Sequence, residues 1–256
     1  MQLNTIEKKL ILKNRLTFLF VLLFVYVVLF EFVLPVNKIL PKPSLLVESI
    51  PALFSEYNFI SEMAITTSIV YLSLAAGFFI VWLFSYQLSK MVLKNIGLFN
   101  NLKLFRNFPA FFFAVLFAFW FDDSILAELM FTIIIASFFI VVDFIKAAAS
   151  VPEEYLSAGK SLLHNDKEIH KNVIWKYSLP FLFKNLTRLH YYLWVLLLIY
   201  EFIGAVNGFG GIYNLALEYK DFSVIILLGI VIALLIWLGN SIINYLQKKL
   251  VFWKVD

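Results

Sequence analysis

The sequence of 256 residues has no cysteine, only three histidines, and charged residues to just 15%. Without cysteine there are no disulfides and no thiolate metal sites. A soluble domain is about half apolar and about a quarter charged; here 62% of the residues are hydrophobic, more apolar surface than a water-soluble fold of this length hides. No His-Glu-x-x-His motif is present. His164 and His170 are poorly spaced for a shared helical metal site, so no zinc is expected. A membrane-embedded enzyme needs a nucleophile with a base, or clustered acids near a membrane face. The only acidic pair outside the expected cytoplasmic segments is Asp122-Asp123, with no histidine close in sequence. An enzyme is therefore not the expected function.

What is present is a series of long apolar runs. Residues 16–34 follow a basic N-terminal segment, exceed a signal-peptide core in length and precede no small-residue cleavage site. They are read as a first spanning helix. The windows 63–89 and 222–246 carry no charge and exceed the roughly 20 residues that a span needs. Residues 107–121, 125–146 and 189–206 are read as spans three, four and five. The fourth and fifth contain Glu128, Asp143, Lys146 and Glu201. Ionisable groups at depth face protein or a water-filled path, which places spans three to five in the interior and one, two and six nearer lipid. The expected fold is thus all-α: a polytopic membrane helical bundle of about six helices, one transmembrane domain over 1–256.

Placing the N-terminus inside puts eighteen Lys and Arg residues in the segments 1–15, 90–106, 146–188 and 247–256. Only Lys38, Lys42 and Lys220 remain outside. By the positive-inside rule both termini are then cytoplasmic. The net charge of +4 is accounted for by this one-sided placement and by contact with anionic lipid, so nucleic acid is not an expected partner.

The largest cytoplasmic feature is the loop 147–188. Ser150 with Glu153 has the spacing of a capping box, and Pro152 falls in a first helical turn. Tyr155, Ala158, Leu162 and Leu163 recur at helical spacing as a narrow apolar stripe, with Glu154, Lys160 and Ser161 opposite. Such a helix lies on lipid as an anchor or docks into a partner's groove. Leu179-Pro180 is then expected to introduce the fifth span, because proline lacks the helical donor.

This order of features resembles the permease subunits of type I ATP-binding-cassette importers, most nearly the nitrate/sulfonate/taurine-type permeases. The resemblance runs from about residue 40 to 254. It rests on Pro41-Lys42-Pro43-Ser44, Thr66-Thr67-Ser68, Asn107-Phe108-Pro109-Ala110, Trp120-Phe121-Asp122, Tyr200-Glu201 followed by Gly208-Phe209-Gly210, and the tail Lys248-Lys249 with Trp253. The family's cytoplasmic signature, Glu-Ala-Ala with a following glycine and a Leu-Pro, is matched by Glu153, Gly159 and Leu179-Pro180. An insertion around His164 to Lys171 separates the two halves.

The resemblance implies a translocation path for a small solute delivered by a periplasmic or lipid-anchored substrate-binding protein, in the inner membrane. It implies that Glu153, Glu154, Tyr155, Ala158, Gly159, Leu162, Leu163 and Pro180 form a coupling helix and its flank, seated on an ATPase subunit. It further implies two copies of that ATPase and a second permease copy, a homodimer being expected. The chain has no Walker-type phosphate loop, so it is expected to bind no cofactor, with ATP and magnesium on the partner ATPase. A non-catalytic scaffold, or a permease relative that has lost coupling, is the alternative.

Other residues carry two readings. Glu201 is either a path or gate residue or a carboxylate reaching headgroup water. Asp143, at the inner end of span four, is either a path residue or one half of an ordinary pair with Lys146. Gly208, Gly210 and Gly211 allow tight backbone turns beside the path. Glu31 is placed at the outer interface, and the Phe108–Phe113 run is read as packing.

Overall fold

The computed structural model describes residues 5–34, 40–94, 109–121, 124–204 and 207–253. Among them every regular element is helical. The acidic pair Asp122-Asp123, the motif residues Asn107 and Phe108, and Lys38 lie outside the described residues.

The chain divides into two compact units, residues 1–58 with 216–229, and residues 59–215 with 230–256. In the first unit, α1 (Thr5–Val27) continues into a π-helical turn, Val28–Val33, followed by α2 (Pro43–Glu48) and α3 (Ile50–Ser55). Pro43 opens α2, where its missing N–H is harmless. The Glu31 carboxylate accepts from the Ser44 hydroxyl at 3.0 Å and from its amide at 3.3 Å. In residues 216–229 of this unit, Asp221 accepts from the Val224 amide at 3.1 Å and from the Tyr57 hydroxyl at 3.4 Å.

The second unit contains α4 (Phe59–Lys94), α5 (Ala110–Trp120), α6 (Ile125–Ala149), α7 (Glu153–Leu162), α8 (Asp166–Ile169), a π turn (His170–Ile174) and α9 (Trp175–Gly204). It also holds most of α10 (Phe209–Glu218) and of α11 (Phe222–Leu250). Its most extensive contact is between α4 and α6. Thr66, Val70, Ser73, Gly77, Val81, Ser85 and Ser89 are buried at three- and four-residue spacing along α4, a seam of small residues that brings helix backbones close. A Cβ on Gly77 would lie 3.0 Å from the Ala136 Cβ and from the Ser137 amide nitrogen. Ser73 donates to Thr132 at 2.7 Å across the same seam. On the other faces of α4, Phe79, Trp82 and Leu83 are more than half exposed, as suits a lipid-facing surface.

Among the described residues four helices are long and apolar enough to cross a bilayer: Phe59–Leu93, Ile125–Ala149, Asp166–Gly204 and Phe222–Leu250. The expected spans two, four, five and six fall on these. The expected spans one and three fall on the shorter apolar helices Thr17–Val33 and Ala110–Trp120. The eleven residues of α5 reach only about 16 Å as helix, against a hydrocarbon core of about 30 Å. In α5, Phe111, Phe112 and Phe113 are each more than 40% exposed while Ala110 and Ala114 are buried. The helix therefore packs through its alanines and presents the phenylalanines outward.

Three expectations are corrected. Pro180 does not open a helix: it lies inside α9, and the segment Asp166–Gly204 is one span candidate of 39 residues. Most of the expected loop 147–188 is therefore helix. Pro180 has no amide for the Lys176 carbonyl four residues earlier; that carbonyl instead accepts the Trp253 indole N–H at 3.0 Å. The capping box does not form. Ser150 ends α6 and donates to the Ala147 carbonyl at 2.9 Å, while Pro152, in extended conformation, precedes the first residue of α7. His170 is not in a solvated loop but buried.

Candidate functional site

The expected coupling residues gather on α7 and the base of α9. Helix α7 begins with Glu153 and Glu154 at its positive dipole end and carries Lys160 in its last turn, the favourable polarity for both charges. It is seated through Gly159, its buried residue. A Cβ there would come within 3.1 Å of Val173 Cγ2 and 3.5 Å of Ile169 Cγ2. The expected stripe does not bury itself: Tyr155 is 54% exposed and Leu162 78% exposed. Both border a groove of about 400 Å³ that Ala158, Leu163, Val173, Tyr177 and Trp253 also line. The Tyr155 and Tyr177 rings lie 6.2 Å apart. Pro180 lies one turn beyond the Lys176 carbonyl that Trp253 takes.

The inserted segment after Leu163 is an ordered helical extension. Asn165 caps α8 by accepting from the Glu168 amide at 2.9 Å. The π turn then places the His170 ring between two hydroxyls of α4, Ser85 at Nε2 and Ser89 at Nδ1, each at 3.0 Å. Tyr86, Phe144 and Trp175 surround the ring. The base of α9 is thereby fastened to one end of α4. Sequence reasoning missed this, because Ser85 and Ser89 are far from His170 in the chain. The four-residue serine spacing was the available signal.

At the other end of the bundle, Glu201 is fully buried. Its carboxylate accepts from the Thr66 hydroxyl at 2.7 Å and from the Gly210 amide at 2.8 Å. Thr66 in turn accepts from the Phe209 amide at 2.9 Å, and the Gly208 amide donates to Glu62. Three successive amides at the start of α10 are thus satisfied by side chains of α4 and α9, a carboxylate at the positive end of a helix among them. The glycines are sterically required. Gly208 has φ +98°, and a Cβ there would lie 2.3 Å from Glu201 Oε1. A Cβ on Gly210 would lie 2.5 Å from the Leu198 carbonyl oxygen. Thr66, of the Thr66-Thr67-Ser68 stretch, sits two turns inside α4.

Between these ends, His190 joins α9 to α11. The Trp194 indole donates to His190 Nε2 at 2.9 Å, and His190 Nδ1 meets Asn240 Oδ1 at 3.0 Å. An indole N–H only donates, so Nε2 accepts and Nδ1 carries the proton. Tyr71 stacks on the ring at 5.4 Å. Asp143 is buried near the end of α6, 3.6 Å from Lys146, and borders a cleft between α6 and α9. The structure thus brings Glu201, Gly208 and Gly210 together, and groups the α7 residues, but places Asp143 apart from both. Among the described residues no cluster of acids and histidines suits a metal ion.

A family model described as the binding-protein-dependent transport system inner membrane component matches residues 95–253. No curated protein and no solved structure matches the chain. The matched stretch includes α7, the His190 ring, the Glu201 turn and Trp253, and leaves α4 outside.

Proposed function

The chain belongs to the family of binding-protein-dependent transport system inner membrane components, and on that premise we propose that it is the permease subunit of an ATP-binding-cassette importer of the nitrate/sulfonate/taurine type. Membership in a family of transport components sets it apart from enzymes. One observation carries the finer reading. Helix α7 stands at the lysine-rich end of the bundle, seated by Gly159, with Tyr155 and Leu162 uncovered beside an apolar groove. A short rigid helix with exposed apolar residues is a shape that docks into a groove on another protein.

In this reading two ATPase subunits, carrying ATP and magnesium, engage α7 from the cytoplasm. A second permease copy completes the path, and a substrate-binding protein delivers a small solute from outside the inner membrane. The continuous helix Asp166–Gly204 would transmit a push at α7 to the Glu201 turn. At about 1.5 Å per residue it is roughly 58 Å long. The buried bonds of Glu201 with Thr66 and Gly210 would hold the outer end closed until that push arrives. Conformational coupling needs such a two-state element with a handle.

The test is purification of the tagged chain from its native membrane in mild detergent, with partners identified by mass spectrometry. Recovery of an ATP-binding-cassette ATPase, lost on Tyr155→Asp or Leu162→Asp, supports the reading. Recovery of the chain without an ATPase favours a scaffold or an uncoupled relative.

A further inference from the structure

The cleft that Asp143 borders is not used by the transport reading. It has a volume of about 590 Å³ and is walled by Phe139, Val142, Asp143 and Lys146 of α6 and by Asn185, Arg188, Leu189, Tyr191 and Tyr192 of α9. The two helices run antiparallel, and the residues sort along them. On α6 the apolar Phe139 and Val142 precede Asp143 and Lys146; on α9 Asn185 and Arg188 precede Leu189 and Tyr192. Both cations and the amide therefore gather at one end of the cleft, and the apolar and aromatic side chains line the other. The charged end is the lysine-rich end of the bundle, where the positive-inside rule puts the cytoplasm. From Phe139 to Lys146 the wall is about 10 Å long, the depth of a phosphate headgroup with its glycerol and first acyl carbons.

Charge at this end is unbalanced. Lys146 pairs with Asp143 at 3.6 Å, while Arg188 is exposed and forms no ion pair among the described residues. Two cations thus face one carboxylate, leaving one net positive charge and a guanidinium fork suited to two oxygens of a phosphate. Lys146 is half-buried, with its ammonium held beside Asp143.

We propose that the cleft between α6 and α9 binds the phosphate headgroup of an anionic phospholipid of the inner leaflet, with Arg188 as principal anchor and an acyl chain lying along Phe139, Val142 and Leu189. Asp143 holds Lys146 in place and restrains the affinity, so that the lipid exchanges. Basic clefts between spanning helices at the cytoplasmic side are suited to anionic headgroups, and the apolar half of this one distinguishes a lipid from a free anion.

The test is native mass spectrometry of the intact purified chain, titrated separately with phosphatidylglycerol, with phosphatidylcholine and with inorganic phosphate. Phosphatidylglycerol is expected to bind about tenfold more tightly than phosphatidylcholine, and millimolar inorganic phosphate is expected not to displace it. Arg188→Gln should weaken phosphatidylglycerol about tenfold and Arg188→Lys only severalfold, whereas Asp143→Asn should strengthen it. Arg188 is exposed, and gel filtration of each variant reports whether it stays folded. Equal binding of the two lipids, or binding indifferent to Arg188→Gln in a folded variant, would overturn the proposal. Displacement of the lipid by inorganic phosphate would reassign the cleft to a soluble anion and would overturn it as well.

Discussion

Replacing Glu201 tests what holds the turn between α9 and α10. In the native chain the carboxylate satisfies the Gly210 amide and the Thr66 hydroxyl, both buried. Glu201→Ala leaves both donors without an acceptor. Each buried orphan costs about 1–3 kcal/mol, and inter-helix bonds in membrane proteins average nearer 0.6; the lower part of that range gives about 3 kcal/mol with the cavity included. Glu201→Gln keeps the shape and one acceptor. Its oxygen can take the Gly210 amide and its NH2 can donate to Thr66 Oγ1, which has a second lone pair beside the Phe209 bond. Only the Thr66 proton then lacks a partner, at about 1 kcal/mol. The assay is unfolding of purified chain in mixed micelles by titrated SDS, followed through Trp194, which stacks on Phe209 at 6.4 Å and reports this turn. The order wild type, Glu201→Gln, Glu201→Ala is expected. Both variants lying within about 0.5 kcal/mol of wild type would refute the role given to the carboxylate.

Further predictions follow from neighbouring contacts. Gly208→Ala should destabilise through its positive φ and through a clash whose three nearest atoms all belong to the Glu201 side chain, so Glu201→Ala should partly relieve it; Gly210→Ala clashes with the Leu198 carbonyl and should not be relieved, and a double-mutant cycle in the same SDS titration separates the two. His190→Phe keeps the ring but orphans the Trp194 indole, and should cost about 1–2 kcal/mol in the same titration. Burial, then the Asp221 carboxylate, push the Tyr57 hydroxyl up to about 12. Because the folded value lies above the unfolded one, this contribution is complete below about pH 10, the reference value, and is lost as pH rises through about 12. Tyr57→Phe should flatten the alkaline fall in stability over that window. Trp253→Phe removes the donor to the Lys176 carbonyl and should speed protease cleavage of the tail while leaving the bundle intact.

The helical class and the long spans were legible because apolar runs and one-sided lysines are properties of composition along the chain. The helix over 153–162 was legible too, but its seating was not. Periodicity marks Tyr155 and Leu162 as an apolar face, yet the helix packs through Gly159, where a missing side chain permits the closest approach to Val173. Pro180 misled because the local rule assumes that a freed carbonyl has no other partner; Trp253, 77 residues away, supplies one. The Glu201 turn could not be read from local spacing, since its partners Thr66 and Glu62 lie on α4, far along the chain. The two serines that hold His170 were hidden for the same reason.

Whether α7 touches an ATPase decides the coupling role proposed for it. The chain contains no cysteine, so Leu162→Cys introduces a single thiol at a side chain 78% exposed. Treating native membranes bearing this variant with a maleimide–benzophenone reagent, irradiating so that the benzophenone inserts into a C–H bond of whatever lies beside it, and identifying the cross-linked product by mass spectrometry measures the contact itself. One dominant adduct with an ATP-binding-cassette ATPase is expected, absent when the cysteine is placed instead at the exposed Phe79. A chain that stays uncross-linked at Leu162, or that joins equally at both positions to unrelated proteins, would contradict it.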